Sequence, residues 1–402
     1  MRRGPKPDIA VLGAGIMGTL TAMFLARRGA RVSIFDQAPD PMTGASRWNE
    51  GKIHLGYLYS ADPTLATALK VLPGGLSFAP LAEEAIGTSL ADHTTPEDDH
   101  YIVHRDSIVD PESMGAYFER LTETLRENAG HGRYLGPLEN ARVHRLSAAE
   151  LVDVANPDRA LAGFAVPERS VDTGWFADRL SAALGAETGI TRLLSHRVTG
   201  VARDRGLLFV ETEAGREGPF RIVVNALWHG RPAVDRSLGI VTESDWSHRY
   251  RVSAFVRTTR CVSARSAVLA VGPFGDVKNY DGRNFYVSWY PAGLLAEGRD
   301  VAPPECRAPE GSEKDRVVAG IRENITREMP SVRAVFDAAE DIRIEGGYVF
   351  ARGHGSLSDP TSTIHDRSTF GVTHCDGYVS VDTGKYSSAP IIAKTLAENL
   401  LF

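Results

Sequence analysis

Cysteine is scarce in this 402-residue chain: only Cys261, Cys306 and Cys375 occur, and no two form a Cys-x-x-Cys pair. That spacing gives no sign of a disulfide framework, a zinc site or an iron–sulfur site, and it fits a reducing, cytoplasmic setting. No uninterrupted apolar run approaches the roughly 20 residues that an integral membrane helix needs. Excess positive charge is also missing. The formal net charge is −6, which argues against a nucleic-acid surface. The N-terminus is basic, but the apolar stretch after it is interrupted by glycines and is not a signal peptide. No internal repeat is evident. With 43% hydrophobic and 24% charged residues, the composition is that of a soluble globular protein.

What is present is concentrated in residues 8–36. The chain reads Asp8-Ile-Ala-Val-Leu-Gly-Ala-Gly-Ile-Met-Gly18, continues with helical character, and returns through Arg31-Val-Ser-Ile-Phe-Asp36. Gly-x-Gly-x-x-Gly between a strand and a helix, inside a βαβ unit, is a dinucleotide fingerprint with a mechanism. Gly13 permits the tight turn, Gly15 lets a pyrophosphate approach the backbone, and Gly18 lets helix and strand pack closely. The N–H groups of Ala14, Ile16 and Met17 open the helix, where its dipole favours negative charge. Asp36, with Gln37 after it, falls about 20 residues beyond the glycines, where a carboxylate accepts ribose hydroxyls. An unphosphorylated adenosine ribose is therefore favoured over NADP.

The rest of the pattern is mixed. Met114, Tyr117, Phe118, Leu121 and Leu125 recur at helical spacing within 111–127, as core rather than as a cofactor box. Residues 64–90 read as helical, broken at Pro73-Gly74-Gly75 and Pro80. Residues 101–106 and 107–109 read as short strands, and Arg221-Ile-Val-Val-Asn225 as a continuous apolar strand. Residues 249–290 alternate like antiparallel strands, with Tyr286 and Tyr290 on one face. Strand, turn and helix close the chain. The expected fold is α/β: a Rossmann-like nucleotide domain discontinuous over 1–75, 166–245 and 341–402. An α+β substrate or cap domain on an antiparallel sheet is inserted as 76–165 and 246–340.

Four blocks carry a resemblance. They are residues 8–36; Gly44-Ala-Ser-Arg-Trp-Asn-Glu-Gly-Lys-Ile-His-Leu-Gly-Tyr57; Ile222-Val-Val-Asn-Ala-Leu-Trp228; and Asp382-Thr-Gly-Lys-Tyr-Ser-Ser388. In this order they resemble the FAD-dependent oxidoreductases of the D-amino-acid oxidase group, which includes glycerol-3-phosphate dehydrogenase and L-2-hydroxyglutarate oxidase. The pieces Ile53-His54-x-Gly56 and Gly384-Lys385 are similar to segments of those enzymes. The chain departs from the group's pattern at Ala226-Leu227-Trp228, where Gly often follows, and at Asp36, where Glu is more usual.

The resemblance implies FAD rather than NAD, and no second Gly-x-Gly-x-x-Gly exists to hold a nicotinamide donor. Electrons then come from a small-molecule substrate and leave to O2 or another acceptor. The implied cofactor contacts are Ser46 and Arg47 at the pyrophosphate or ribityl chain, and Asn49, Gly51, Lys52 and Ile53 near the ring. Val198, Asn225, Ala226, Leu227 and Trp228 join them from the middle of the chain, and Gly384, Lys385, Tyr386 and Ser387 from its end.

His54 is the best proton acceptor by residue type, although it can instead hydrogen-bond backbone beside the cofactor, and covalent attachment of FAD through it is a further alternative. Lys385 can place charge near the reduced flavin. Arg352 can pair a carboxylate or phosphate in bidentate fashion, and Tyr286 can line the substrate pocket. The implied activity is oxidation of a CH–NH or CH–OH bond of a small anionic substrate, by hydride transfer to flavin N5. Two other readings stay open. One is a 2-hydroxy acid or polyol phosphate dehydrogenase that passes electrons to a quinone. The other is a flavin-binding protein without turnover. No metal site is expected.

Overall fold

The computed structural model describes residues 8–128, 130, 132–240 and 246–401; the basic N-terminal residues 1–7 lie outside the described residues. A six-stranded sheet carries the fingerprint. Its order is Val372–Cys375, Tyr378–Val381, Ile222–Asn225, Asp8–Leu12, Arg31–Phe35, Ile190–Leu193. All pairs are parallel except the edge strand Val372–Cys375.

Strand alternation decides what covers each face. Ile9 and Val11 join a core with helices Ile16–Arg27, Ala66–Ile86, Thr173–Ala186 and Ala389–Asn399. Ala10 and Leu12 face the other way, onto Val201, Leu208, Val210 and Phe220 of a three-stranded antiparallel sheet. Asp172 caps the helix Thr173–Ala186 by accepting from Trp175 N at 3.0 Å.

The second large sheet is mixed. Trp246–Thr258 pairs along its whole length with Ala339–Arg352, and Ala267–Ala270 runs parallel to Asp99–His104 while the other pairs are antiparallel. Helix Gly311–Glu328 covers it through Val317, Ile321 and Ile325 against Val252, Ala254 and Val256. The expected boundary at 341 thus runs through the strand Ala339–Arg352. The one at 76 runs through the helix Ala66–Ile86.

Three local readings need correction. Residues 105–110 turn instead of forming a second short strand. The strand that starts at Asn284 ends at Val287, and Tyr290 opens a short helix. Ala66–Ile86 is one helix despite Pro73 and Pro80 inside it. Its Gly74-Gly75 pair is a packing device, not a break. A Cβ on Gly74 would meet Ser388 Cα at 2.9 Å, and one on Gly75 would meet His54 O at 2.3 Å. The helix therefore touches the His54 loop and the turn before the last helix together. Gly75→Ala is expected to lower stability by about 1–3 kcal/mol through overpacking, even though alanine is the better helix former. Urea unfolding checks this, and an alanine variant as stable as the parent would mean that the contact relaxes freely.

Candidate active site

The fingerprint turn is built as its glycines require. Gly13 has φ +96°, and a Cβ there would lie 2.8 Å from Ala226 O. Ile16 N, in the first turn of the helix, donates to Ser46 Oγ at 3.0 Å. Asp36 accepts from Ala14 N at 2.6 Å and from Ala38 N at 2.8 Å. Its carboxylate therefore shapes the turn and keeps lone pairs for a ribose. Gln37 beside it is exposed. Val198 packs with Leu12, Phe35 and Leu227 at this end of the sheet.

Around this turn, several expected contact residues serve the backbone. Arg47 donates to Asp178 at 2.8 Å. The Asn49 amide bonds Ala45 O, and its carbonyl accepts from Gly51 N, so it folds its own loop. Gly51 has φ +67° and comes so close to Val171 O that a Cβ would lie 1.9 Å away. Asn225 donates to Tyr378 Oη at 2.7 Å and to Asp235 Oδ1 at 3.0 Å, and accepts from Leu227 N at 3.2 Å. Its side chain holds the turn rather than reaching outward. Trp228 adopts φ +55°, a conformation that glycine takes without strain. Its indole donates to Tyr348 O at 2.7 Å, which ties the bulky residue into place.

Lys52 was expected near the ring, but its donors are committed elsewhere. Its ammonium lies 2.7 Å from Asp99 and 3.0 Å from Tyr101 Oη, in a fully buried network in which Lys278 also reaches Asp99 at 2.5 Å. Burial alone would raise the Asp99 carboxyl, but Lys278 and Lys52 outweigh that and hold it below its ordinary value. Asp99→Asn leaves two buried ammoniums short of a counter-charge. It is expected to cost on the order of 3–5 kcal/mol, read from denaturant unfolding at neutral pH. Because Asp99 is held down, the wild-type advantage should be lost only as the pH falls through its depressed folded-state value. A variant of unchanged stability would mean that Glu168, 3.5 Å from Lys52, and Asp276, whose carboxylate also acts on both lysines, suffice.

Glu168 ties this network to the His54 loop. It accepts from Leu55 N at 2.7 Å and from Tyr101 Oη at 2.5 Å, with His54 Nδ1 4.0 Å away. His54 is buried; burial first, then Lys385, Lys52 and Lys278, push its imidazole well below the ordinary range. Tyr59 lies 5.7 Å from His54, ring to ring, and the Lys385 ammonium lies 5.2 Å over the Tyr59 ring. Withdrawal from water, then Arg367 and Arg249, bring Lys385 down to about 7, against the pull of Glu50 and Glu168. Gly384 has φ +65° and lies under Phe370, in a cleft lined also by Arg352, Arg367 and Asp382. Arg352 sits 5.6 Å over Trp246. Tyr286 Oη accepts from Ser253 Oγ at 2.9 Å.

Whether these residues fit a flavin dinucleotide can be judged from their unmet polar groups. Among the described residues His54 Nδ1, Tyr59 Oη, Tyr386 Oη, Ser387 Oγ and Ser388 Oγ are buried without a hydrogen-bond partner. Buried polar atoms are seldom left so. They gather where the His54 loop meets the last turn, and a polar ring system would satisfy them. The glycine cradle and this set together fit the group.

Fold and site thus define a dinucleotide-binding oxidoreductase that carries a second, mixed sheet beside its nucleotide unit. The family model described as FAD dependent oxidoreductase (DAO) matches residues 8–399, and the chain belongs to that family and uses FAD. Among solved structures, glycine oxidase from Geobacillus kaustophilus is similar over 99% of this chain and 94% of its own, with 14% identity and a TM-score of 0.68. Iminodiacetate oxidase from Chelativorans sp. BNC1 matches over 98% and 95%, at 15% identity and TM-score 0.68. L-alpha-glycerophosphate oxidase from Mycoplasma pneumoniae, with FAD bound, matches over 98% and 95%, at 17% identity and TM-score 0.62. Among the described residues no helix is long and apolar enough to cross a membrane.

Residue-by-residue reading of the sequence missed Glu168, Asp99, Lys278, Arg249, Arg251 and Arg367. Arg249 and Arg251 left a signal. They alternate with Tyr250 and Val252 on a strand otherwise rich in apolar residues, so one of its faces is cationic. Arg367 lies in an irregular loop with no pattern to expose it.

Proposed function

We propose that this protein oxidises a CH–NH bond of a small anionic substrate, with Lys385 accepting the proton that the substrate nitrogen must lose. The observation that carries this is the Lys385 ammonium brought down to about 7 beside Tyr59, Arg249 and Arg367. A lysine so placed is neutral often enough at working pH to act as a base. When bound, FAD supplies the electron acceptor, taking the donor hydride at N5. His54 lines the same space as a neutral imidazole able to hold a substrate proton by hydrogen bond. Arg352 and Tyr286 bound the pocket on the side of the second sheet. The likeness to glycine and iminodiacetate oxidases agrees with an amine donor. The likeness to glycerophosphate oxidase, together with the Gly384-Lys385 segment, supports a second reading, a CH–OH donor that carries phosphate.

The test is anaerobic mixing of the yellow protein with amino acids, secondary amines, 2-hydroxy acids and polyol phosphates while the visible flavin band is followed. Bleaching by amines supports the first reading, and bleaching by hydroxy compounds alone supports the second. Readmitting air then separates O2, which leaves peroxide, from another acceptor. A band that no donor bleaches would count against turnover altogether.

A further inference from the structure

The strand Trp246–Thr258 has two unlike faces. Tyr250, Val252, Ala254 and Val256 pack into the second core. Arg249, Arg251, Ser253 and Phe255 alternate onto the other face, where Phe255 meets Trp48 of the His54 loop, 5.1 Å between rings. Two arginines two positions apart on one strand face are like-charged neighbours, and both use Tyr290. Arg249 Nη1 donates to Tyr290 Oη at 3.2 Å, and the Arg251 guanidinium lies 4.3 Å over the Tyr290 ring. Arg249 is 7% exposed, yet its Nε and Nη2 have no hydrogen-bond partner among the described residues, and neither has Arg251 Nε. Leaving charged donors unsatisfied in a buried place is costly.

More positive charge converges from the C-terminal segment. Burial and then Arg249 bring the Arg367 guanidinium down to about 10, and Arg367 with Arg249 acts on Lys385. Of the carboxylates that face this cluster, Asp382 is shared between Arg367 and Arg231, the latter 3.9 Å away, and Glu168 is engaged by Leu55, Tyr101 and Lys52. Glu50 and Asp276 also face it, and no ion pair joins either to Arg249, Arg251 or Arg367 among the described residues. A single carboxylate on the substrate would bring one negative charge to a face that presents three guanidiniums.

Building on the oxidoreductase reading of this site, we propose that the substrate carries at least two negative charges, in two carboxylates or one phosphate, received by Arg249, Arg251 and Arg367. Each guanidinium fork can bind such a group in bidentate fashion.

The test uses the holoenzyme, its flavin content first read from the visible band, at constant ionic strength. Malonate, inorganic phosphate and acetate are titrated while the thermal-unfolding midpoint and the flavin band are followed. Malonate or phosphate is expected to bind at least tenfold more tightly than acetate. Preference for malonate points to a dicarboxylate, and preference for phosphate to a phosphate ester. Arg249→Met and Arg251→Met should each reduce the preference at least several-fold, and the wild-type ratio stands alone if either variant fails to fold. Acetate binding as tightly as both dianions would overturn the proposal and leave the flavin reading intact. A colourless protein that still prefers dianions through Arg249 would do the reverse.

Discussion

Replacing Lys385 by methionine is expected to slow flavin reduction by the oxidisable donor by about 10²–10⁴-fold while FAD stays bound. Lys385 is the group near Tyr59 whose proton affinity lies closest to working pH, at about 7. Burial has taken His54 far below its ordinary range and Tyr59 far above, so neither exchanges a proton as readily. Below pH 7 Lys385 holds its proton and cannot accept another; above it, the amine is free. The wild-type kcat/KM should therefore rise with pH through about 7, and the variant should lack that limb. His54→Ala should slow reduction less and keep the limb.

In the variant, stability should move in the opposite sense to activity. The ordinary lysine value is 10.5, so between about pH 7 and 10.5 the unfolded chain binds the proton that the folded chain releases. Stability in that window rises with pH, and below pH 7 the penalty for burying the ammonium is complete. Lys385→Met should then be more stable than the parent at pH 6, by a few kcal/mol at most, with the gap closing toward pH 10.5. Stopped-flow reduction across pH and denaturant unfolding at pH 6 and 9 read both effects. A variant reduced at the parent rate with the same limb would assign the proton elsewhere.

Gly18→Ala should yield a protein with little bound flavin. A Cβ at Gly18 would sit 1.8 Å from Gly13 O and 3.3 Å from Val11 Cγ1. Backbone, not a rotatable tip, occupies that space, so the fingerprint turn itself must open. Overpacking of this size is expected to cost about 1–3 kcal/mol, which is about a 5-fold to 150-fold loss in FAD affinity if it falls on the holo state. Gly15→Ala is a useful contrast, since its Cβ would meet the Ser46 hydroxyl at 2.9 Å, and a hydroxyl can rotate away. The ratio of visible to ultraviolet absorbance after purification checks both. A Gly18→Ala protein as yellow as the parent would show that the strand–helix contact can widen without disturbing the cradle.

The nucleotide half was legible because its physics is local. A tight turn, a close helix–strand contact and an acid at the next strand end are all set within residues 8–36, and each leaves a residue type that only that geometry requires. The same locality gave the amphipathic helix within 111–127. Where a residue's meaning depends on a distant partner, local reading went astray. Pro73-Gly74-Gly75 looks like a break until Ser388 and the His54 carbonyl come against it. Lys52 looks like a cofactor contact, yet its ammonium is engaged by Asp99 and Tyr101.

The division follows the range of the forces. Backbone sterics and strand periodicity act over a few residues, so the sequence by itself determined the fingerprint, the α/β class and the flavin family's motifs. Proton affinity and charge balance depend on burial and on every ion nearby, whatever its place in the chain. Only the tertiary structure brought Arg249, Arg367 and Lys385 together from three separate segments. Folding thereby decided which side chain can take a proton and how much negative charge the pocket can receive.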